Sequence, residues 1–188
     1  MAHKPWPPQM DEWTHPRHAA DGNAVSRDVL VGPPRRIRWV TGPSQEIPQM
    51  VSAGGRNYYG GVWTRDGFNS LRLRQQDLSA SPAPSGDKFR YTPGSVRPIA
   101  AGNLLFVATA GTVTALDGAT GKPVRQYPEA GKPREILLSA GVLLAVDGKS
   151  VRAVDLDAGR LRWQYAAPEP RYVVADDKSV FLLEGDVR

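Results

Sequence analysis

A 38-residue echo runs through the second half of this sequence, and few architectures accommodate it. Val113-Thr114-Ala115-Leu116-Asp117-Gly118-Ala119-Thr120-Gly121 returns as Val151-Arg152-Ala153-Val154-Asp155-Leu156-Asp157-Ala158-Gly159, with Asp117 and Asp155 38 residues apart. Gln126-Tyr127 returns as Gln164-Tyr165, and Val142-Leu143-Leu144 as Val180-Phe181-Leu182, at the same spacing of 38. With Gly121 and Gly159 also 38 residues apart, four matches at one offset mark an internal repeat. Leu71 to Asp77 reads as a weaker earlier copy, with Asp77 lying 40 residues before Asp117.

Each unit has one order of parts. An apolar strand (104–108, 142–146) turns into a second (113–116, 151–154) that ends on Asp. A tight turn closes at Gly121 or Gly159, and a third strand follows (123–127, 161–165). A further strand such as 134–138 makes four. Asp suits the turn because its carboxylate accepts a backbone N–H two residues on, and Gly takes a positive φ without steric cost. Four short antiparallel strands in about 40 residues is the pattern of a propeller blade, which buries both faces only by stacking on its neighbours. The predicted fold is therefore all-β: a partial β-propeller of about three four-stranded antiparallel blades, with an irregular N-terminal arm. A helical solenoid is disfavoured because no stretch keeps a 3.6-residue period. A sandwich has no need of a fixed 38-residue period.

The organisation expected is an irregular arm with one short strand over residues 1–50, then an incomplete propeller over 51–188. Its units fall at about 51–95, 96–133, 134–170 and a truncated 171–188. Pro5, Pro7, Pro8, Pro16, Pro33 and Pro34 prevent sustained helix or central strand at the start. Trp6, Trp13 and Trp39 suggest that the arm packs on the blades, and Trp13 and Trp39 are expected to be largely buried. Ile37 to Val40 reads as a short strand, Asn57 to Trp63 and Asn69 to Gln75 as further candidates, and the Ser/Ala/Pro-rich 79–88 as a loop.

Composition excludes several chemistries. With Cys 0 there are no disulfides, no thiolate chemistry and no covalent haem attachment. The net charge of +5 comes from 24 basic and 19 acidic residues, so it reads as a mixed solvated surface, and no nucleic-acid partner is expected. The densest basic cluster is Arg35, Arg36 and Arg38. No apolar run approaches the roughly 18 residues of a membrane span, so no transmembrane segment is expected. No apolar core of a signal peptide follows Met1.

Chemistry-bearing residues were weighed against structural roles. His15 and His18 lie near Asp11 and Asp21, but Pro16 breaks any helix that would align the two rings, so polar packing is favoured over a metal site. His3 reads as solvated. Asp117, Asp147, Asp155, Asp157, Asp176 and Asp177 track strand ends, which points to turn chemistry rather than an acid–base pair. Ser26, Ser44 and Ser52 have no nucleophile-elbow context or His partner. Gly54-Gly55 is a turn, since no helix follows to make a phosphate loop. Trp39, Trp63 and Trp163 read as inter-blade packing. No catalytic, cofactor-binding or metal-binding residue is assigned.

Ala115-Leu116-Asp117-Gly118-Ala119-Thr120-Gly121-Lys122 resembles the A-L-D-x-x-T-G-K-x-x-W repeat of quinoprotein-type propellers. That group includes pyrroloquinoline-quinone (PQQ) alcohol dehydrogenases and the non-catalytic propeller of the outer-membrane-protein assembly machinery. The second copy keeps its aromatic at Trp163, whereas the first carries Arg125 there. Asp11 to Asp28 and Val31 to Val40 look like exported quinone-binding-like propeller proteins of planctomycete-type bacteria. The resemblance implies a longer propeller of which this chain is an N-terminal fragment, with a periplasmic or cell-envelope location. Its last units, ending in mid-blade, imply an open sheet edge and a tendency to associate. On function it implies a non-catalytic scaffold or binding module for a protein or polymer partner, so for this chain an enzyme is the less favoured reading. The alternative is part of a quinone-dependent dehydrogenase whose PQQ and calcium lie in other blades.

Overall fold

In the computed structural model of the chain, residues 7–30, 50–59, 63–69, 71–75, 96–109 and 111–185 are described. His3, Arg35, Arg36, Arg38, Trp39, Ser44, Asp77, the 37–40 strand and the 79–88 loop lie outside them. The fold is all-β, as the repeat predicts. Fourteen strands among the described residues form three four-stranded sheets and one hairpin. The first sheet is β1 (Met50–Ala53), β2 (Arg56–Tyr59), β3 (Trp63–Asp66) and β4 (Arg72–Gln75). The second is β5 (Ile99–Ala101), β6 (Leu104–Thr109), β7 (Thr112–Asp117) and β8 (Pro123–Tyr127). The third is β9 (Glu135–Ser139), β10 (Val142–Val146), β11 (Ser150–Asp155) and β12 (Leu161–Ala166). The hairpin is β13 (Pro170–Ala175) with β14 (Val180–Glu184). In each sheet every strand pairs antiparallel with the next in sequence. The first strands of successive sheets lie side by side, which makes them the inner ring.

The second and third sheets copy one another in register. Ile99↔Phe106 becomes Leu137↔Leu144, Leu104↔Asp117 becomes Val142↔Asp155, and Val113↔Tyr127 becomes Val151↔Tyr165. Even the irregularity in pairing between Ala115 and Leu116 recurs between Ala153 and Val154. A bulge repeated at the repeat spacing is a built feature, which re-aims the outer strand.

Inner strands read as continuous apolar runs because each sheet is covered on both faces. Along β6 and β7, Leu105, Val107 and Leu116 meet Val51, Ala53 and Tyr58 of the first sheet. The alternate residues Phe106, Val113 and Ala115, with Tyr127, meet Ile136, Leu143, Ala145 and Val154 of the third. Period-2 alternation thus sorts apolar side chains between two cores rather than between core and water.

Two expectations need correction. The earlier copy of the Asp turn is at Asp66, not Asp77. Asp66 N–H bonds Leu71 O at 2.9 Å, as Asp117 N–H bonds Lys122 O at 2.9 Å and Asp155 N–H bonds Arg160 O at 2.8 Å. Leu71 to Gln75 accordingly leads into the fourth strand of its sheet. Lengthening of the connection to β5 hides this copy from any fixed offset. The second correction concerns the hairpin. Val173↔Leu182 occupies the place of Ile136↔Ala145, so β13–β14 follows at 37 residues rather than 38. From Tyr165 to Val173 the chain is one residue shorter than from Tyr127 to Ile136. A one-residue slip exchanges the faces of a strand. Val173, Ala175 and Leu182 therefore face the third sheet, and Phe181, the sequence match of Leu143, is 57% exposed.

Candidate functional site

The arm, residues 7–30, has no helix and, apart from the isolated His15↔His18 bridge, no strand. Its path is ordered by the sheets. Each first strand pairs with a second strand on one side only, leaving a row of N–H and C=O groups toward the axis of the propeller, and an exposed edge needs cover. The arm supplies it, visiting the sheets in order. Trp13 O accepts Ser52 N–H at 2.7 Å, and Trp13 N–H donates to Ser52 Oγ at 2.9 Å. Thr14 O accepts Ala100 N–H at 2.8 Å. His15 Nε2 accepts Leu138 N–H at 2.9 Å. Ala20 O accepts Ala175 N–H at 2.9 Å. Glu12 adds a bond from Gly54 N–H at 2.7 Å.

The turn from His15 to His18 is closed by two mutual backbone bonds and needs φ +73 at His18. This strained value is held by the ring's surroundings: His18 Nε2 lies 2.6 Å from Asp11 Oδ2, and Trp13 packs edge-on against it at 5.1 Å. Asp11 also accepts Ser26 Oγ–H at 3.2 Å and Arg27 N–H at 2.5 Å. Burial works against the charge of the Asp11 carboxylate. Bonds from Arg27 and Glu12 N–H and from His18 outweigh it and hold the carboxyl below its usual range. His15, by contrast, has only hydrogen-bond partners, and burial pushes its pKa down to about 4.

The two imidazoles thus serve different partners, and among the described residues no three His, Asp or Glu side chains converge as a metal set. Trp13 lies mostly out of solvent against the blades, as expected. Trp163 is 40% exposed and, with Tyr165, Leu144, Val151 and Leu182, lines an open groove of about 690 Å³ between the third sheet and β14. That groove was not legible in the sequence, where Trp163 reads as inter-blade packing.

Asp117, Asp147, Asp155 and Asp176 sit at strand ends with their carboxylates turned onto their own turns, while Asp157 and Asp177 lie within the turns. Asp117 Oδ1 accepts Thr120 N–H at 2.7 Å and Thr120 Oγ1–H at 2.8 Å; Asp155 Oδ1 accepts Ala158 N–H at 2.6 Å. Asp147 and Asp176 do the same for Lys149 with Ser150, and for Lys178 with Ser179. The Thr120 bonds hold Asp117, and the Ala158 bond Asp155, below the usual carboxylate range. Such a carboxylate is a poor base. Ser26 Oγ bonds Asp11 rather than a His, and Ser52 Oγ accepts Trp13 N–H, so neither is set up as a nucleophile.

These blades, their repeated bulge and their Asp turns have a family counterpart. The family model described as outer membrane protein assembly factor BamB matches residues 62–187. The chain belongs to the BamB family. Among solved structures, it is similar to a europium-containing methanol dehydrogenase at 14% identity and TM-score 0.52, covering 85% of this chain and 32% of that one. It is also similar to a quinohemoprotein alcohol dehydrogenase from Pseudomonas putida at 11% identity and TM-score 0.52, covering 83% of this chain and 26% of that one. BamB from Moraxella catarrhalis aligns at 17% identity and TM-score 0.39, over 63% of this chain and 37% of its own. The chain therefore spans between about a quarter and two fifths of these proteins, and the likeness to the two dehydrogenases is one of fold. No curated protein matches significantly.

Proposed function

We propose that this member of the BamB family is a non-catalytic propeller scaffold that binds a protein or polymer partner within an exported, envelope-associated protein. The observation that carries this reading is the arm on the axial edges. A small molecule held at the axis would need the inner strands' free groups, and residues 13–20 already take one N–H from each of four successive inner strands. The carboxylates of Asp117, Asp147, Asp155 and Asp176 are likewise committed to their own turns. Both features count against a quinone with its calcium ion among the described residues. The family description, which speaks of outer-membrane protein assembly, supports protein binding and an envelope location. The resemblance of the N-terminal stretch to exported planctomycete-type proteins supports the location alone. Among the described residues no helix is long and apolar enough to cross a membrane.

The alternative, a piece of a PQQ- and calcium-dependent dehydrogenase with its site in other blades, draws on the two dehydrogenase likenesses. Fold alone does not choose between them. The test is to add quinone and calcium to the full-length protein, with every blade it carries, and follow the cofactor chromophore together with dye-linked alcohol oxidation. The scaffold reading expects neither retained chromophore nor turnover. Stoichiometric chromophore with turnover would replace it by the dehydrogenase.

A further inference from the structure

Among the four ties between arm and inner strands, the third differs in kind. The first, second and fourth use main-chain carbonyls, of Trp13, Thr14 and Ala20, which do not titrate. The third uses the ring of His15, which is 6% exposed. Its tautomer follows from its neighbours. Thr14 Oγ1 donates its single hydrogen to His18 O at 3.2 Å, so it must accept from His15 Nδ1–H at 2.8 Å. Nε2 is then the unprotonated nitrogen, as its bond from Leu138 N–H requires.

We propose that His15 is an acid-sensitive pin, whose protonation at Nε2 opposes two donors, His15 Nε2–H and Leu138 N–H, and releases the arm from the third blade. Ala20 of the arm belongs to the core between the third sheet and the β13–β14 hairpin, so release also uncovers that core and frees the inner edge of β13. The axial edges would then be open to another extended chain.

The charged groups around the pin are few. Burial is the largest influence on His15 and, with His18 opposing a proton as well, outweighs the favourable Asp21 and lowers the pKa from 6.5 to about 4. Asp11 is taken up by His18. From the sheet, Glu135 of β9 is paired with Arg97 at 3.4 Å, and Arg17 of the arm acts on it. A His with a depressed folded-state pKa favours the closed arm fully above the unfolded pKa. The preference fades as pH falls from 6.5 to 4, by up to about 300-fold in the closed-to-open ratio.

The test is amide exchange on the whole chain, corrected for intrinsic rates, between pH 7 and pH 4. Protection at Leu138 should fall by about 100-fold in wild type, and at each pH it should stay below that of Leu144, inside the third sheet, which exchanges only when the sheet opens. In His15→Gln, whose amide oxygen accepts the same N–H but does not titrate, Leu138 should keep its protection. Equal protection of Leu138 and Leu144 at pH 4, or equal losses in wild type and His15→Gln, would overturn the pin. Imidazole ¹⁵N shifts of the wild-type protein give a second measurement that does not depend on the variant folding. A neutral Nδ1–H tautomer with a midpoint below pH 5 is expected, and an ordinary midpoint near 6.5 would overturn the proposal.

Discussion

Tyr127 and Tyr165 occupy the same place in consecutive repeats, and their surroundings differ completely. Tyr127 is 2% exposed and sits on Phe106 at 6.2 Å; Tyr165 is 52% exposed. Arg125 and Trp163 form the matching pair one step further from the strand end. Over Tyr127 and Arg125 lies the β11 strand of the next sheet with its Asp turn. Val154 joins their core, Leu156 O accepts Tyr127 Oη–H at 3.0 Å, and the carbonyls of Leu156 and Asp157 accept the Arg125 guanidinium. Over Tyr165 and Trp163 there is, among the described residues, only the two-stranded hairpin, which borders the groove. The repeat thus writes an aromatic onto each blade, but the third strand of the following blade decides whether it becomes core.

The largest expected effect breaks that comparison directly. Tyr127→Ala should destabilise the protein by about 3–5 kcal/mol, as large aromatic-to-Ala changes in a core do, and leave the Leu156 carbonyl without its hydroxyl. Tyr165→Ala should cost under about 1 kcal/mol. Urea denaturation of the two variants measures both. Similar losses at the two sites would mean that the outer face of the third sheet is covered in solution.

The second effect is pH dependence. The interface beneath the hairpin leans on the arm through Ala20, whereas the Tyr127 interface does not. Lowering pH from 7 to 4 should remove about 3 kcal/mol through His15, given a folded pKa of about 4 against 6.5 unfolded, at 1.36 kcal/mol per unit. His stability of this sign is present above pH 6.5 and lost on the way down to 4. Asp11, Asp117 and Asp147, with pKa values below 3.8, contribute stability that is lost only on further acidification. The difference in urea midpoints between wild type and His15→Gln, taken at each pH, isolates the upper window. A flat difference would remove His15 from the account.

A smaller effect sharpens the other side. Arg125→Ala removes the guanidinium clasp on the neighbouring turn and should cost about 1 kcal/mol. Trp163→Ala, at the same repeat position but facing the open groove, should cost no more than that. Should Trp163→Ala prove several-fold worse than Arg125→Ala, the groove would have an occupant in solution.

Much of the architecture was legible before any coordinates. The 38-residue offset placed the strands of the second and third sheets, because turn chemistry is local: an Asp that bonds its own loop and a Gly that accepts positive φ work wherever they stand. Asp66 escaped because a long connection displaced it from the offset. The slip to 37 residues before β13 escaped because Val180-Phe181-Leu182 looks like Val142-Leu143-Leu144 whichever face it buries. The candidate site was hardly legible at all. His15 in a Trp- and Pro-bearing arm signalled ordered packing, but nothing in the sequence tied it to Leu138, 123 residues away.

By itself, then, the sequence determined the all-β class, the four-stranded unit and the turn roles of its Asp residues, since these depend on neighbours a few residues apart. Only the tertiary structure decided which aromatics are buried, which face of the last hairpin points inward, and that the arm closes the axial edges. Those outcomes depend on which surface another segment happens to cover, and a period along the chain carries no record of that.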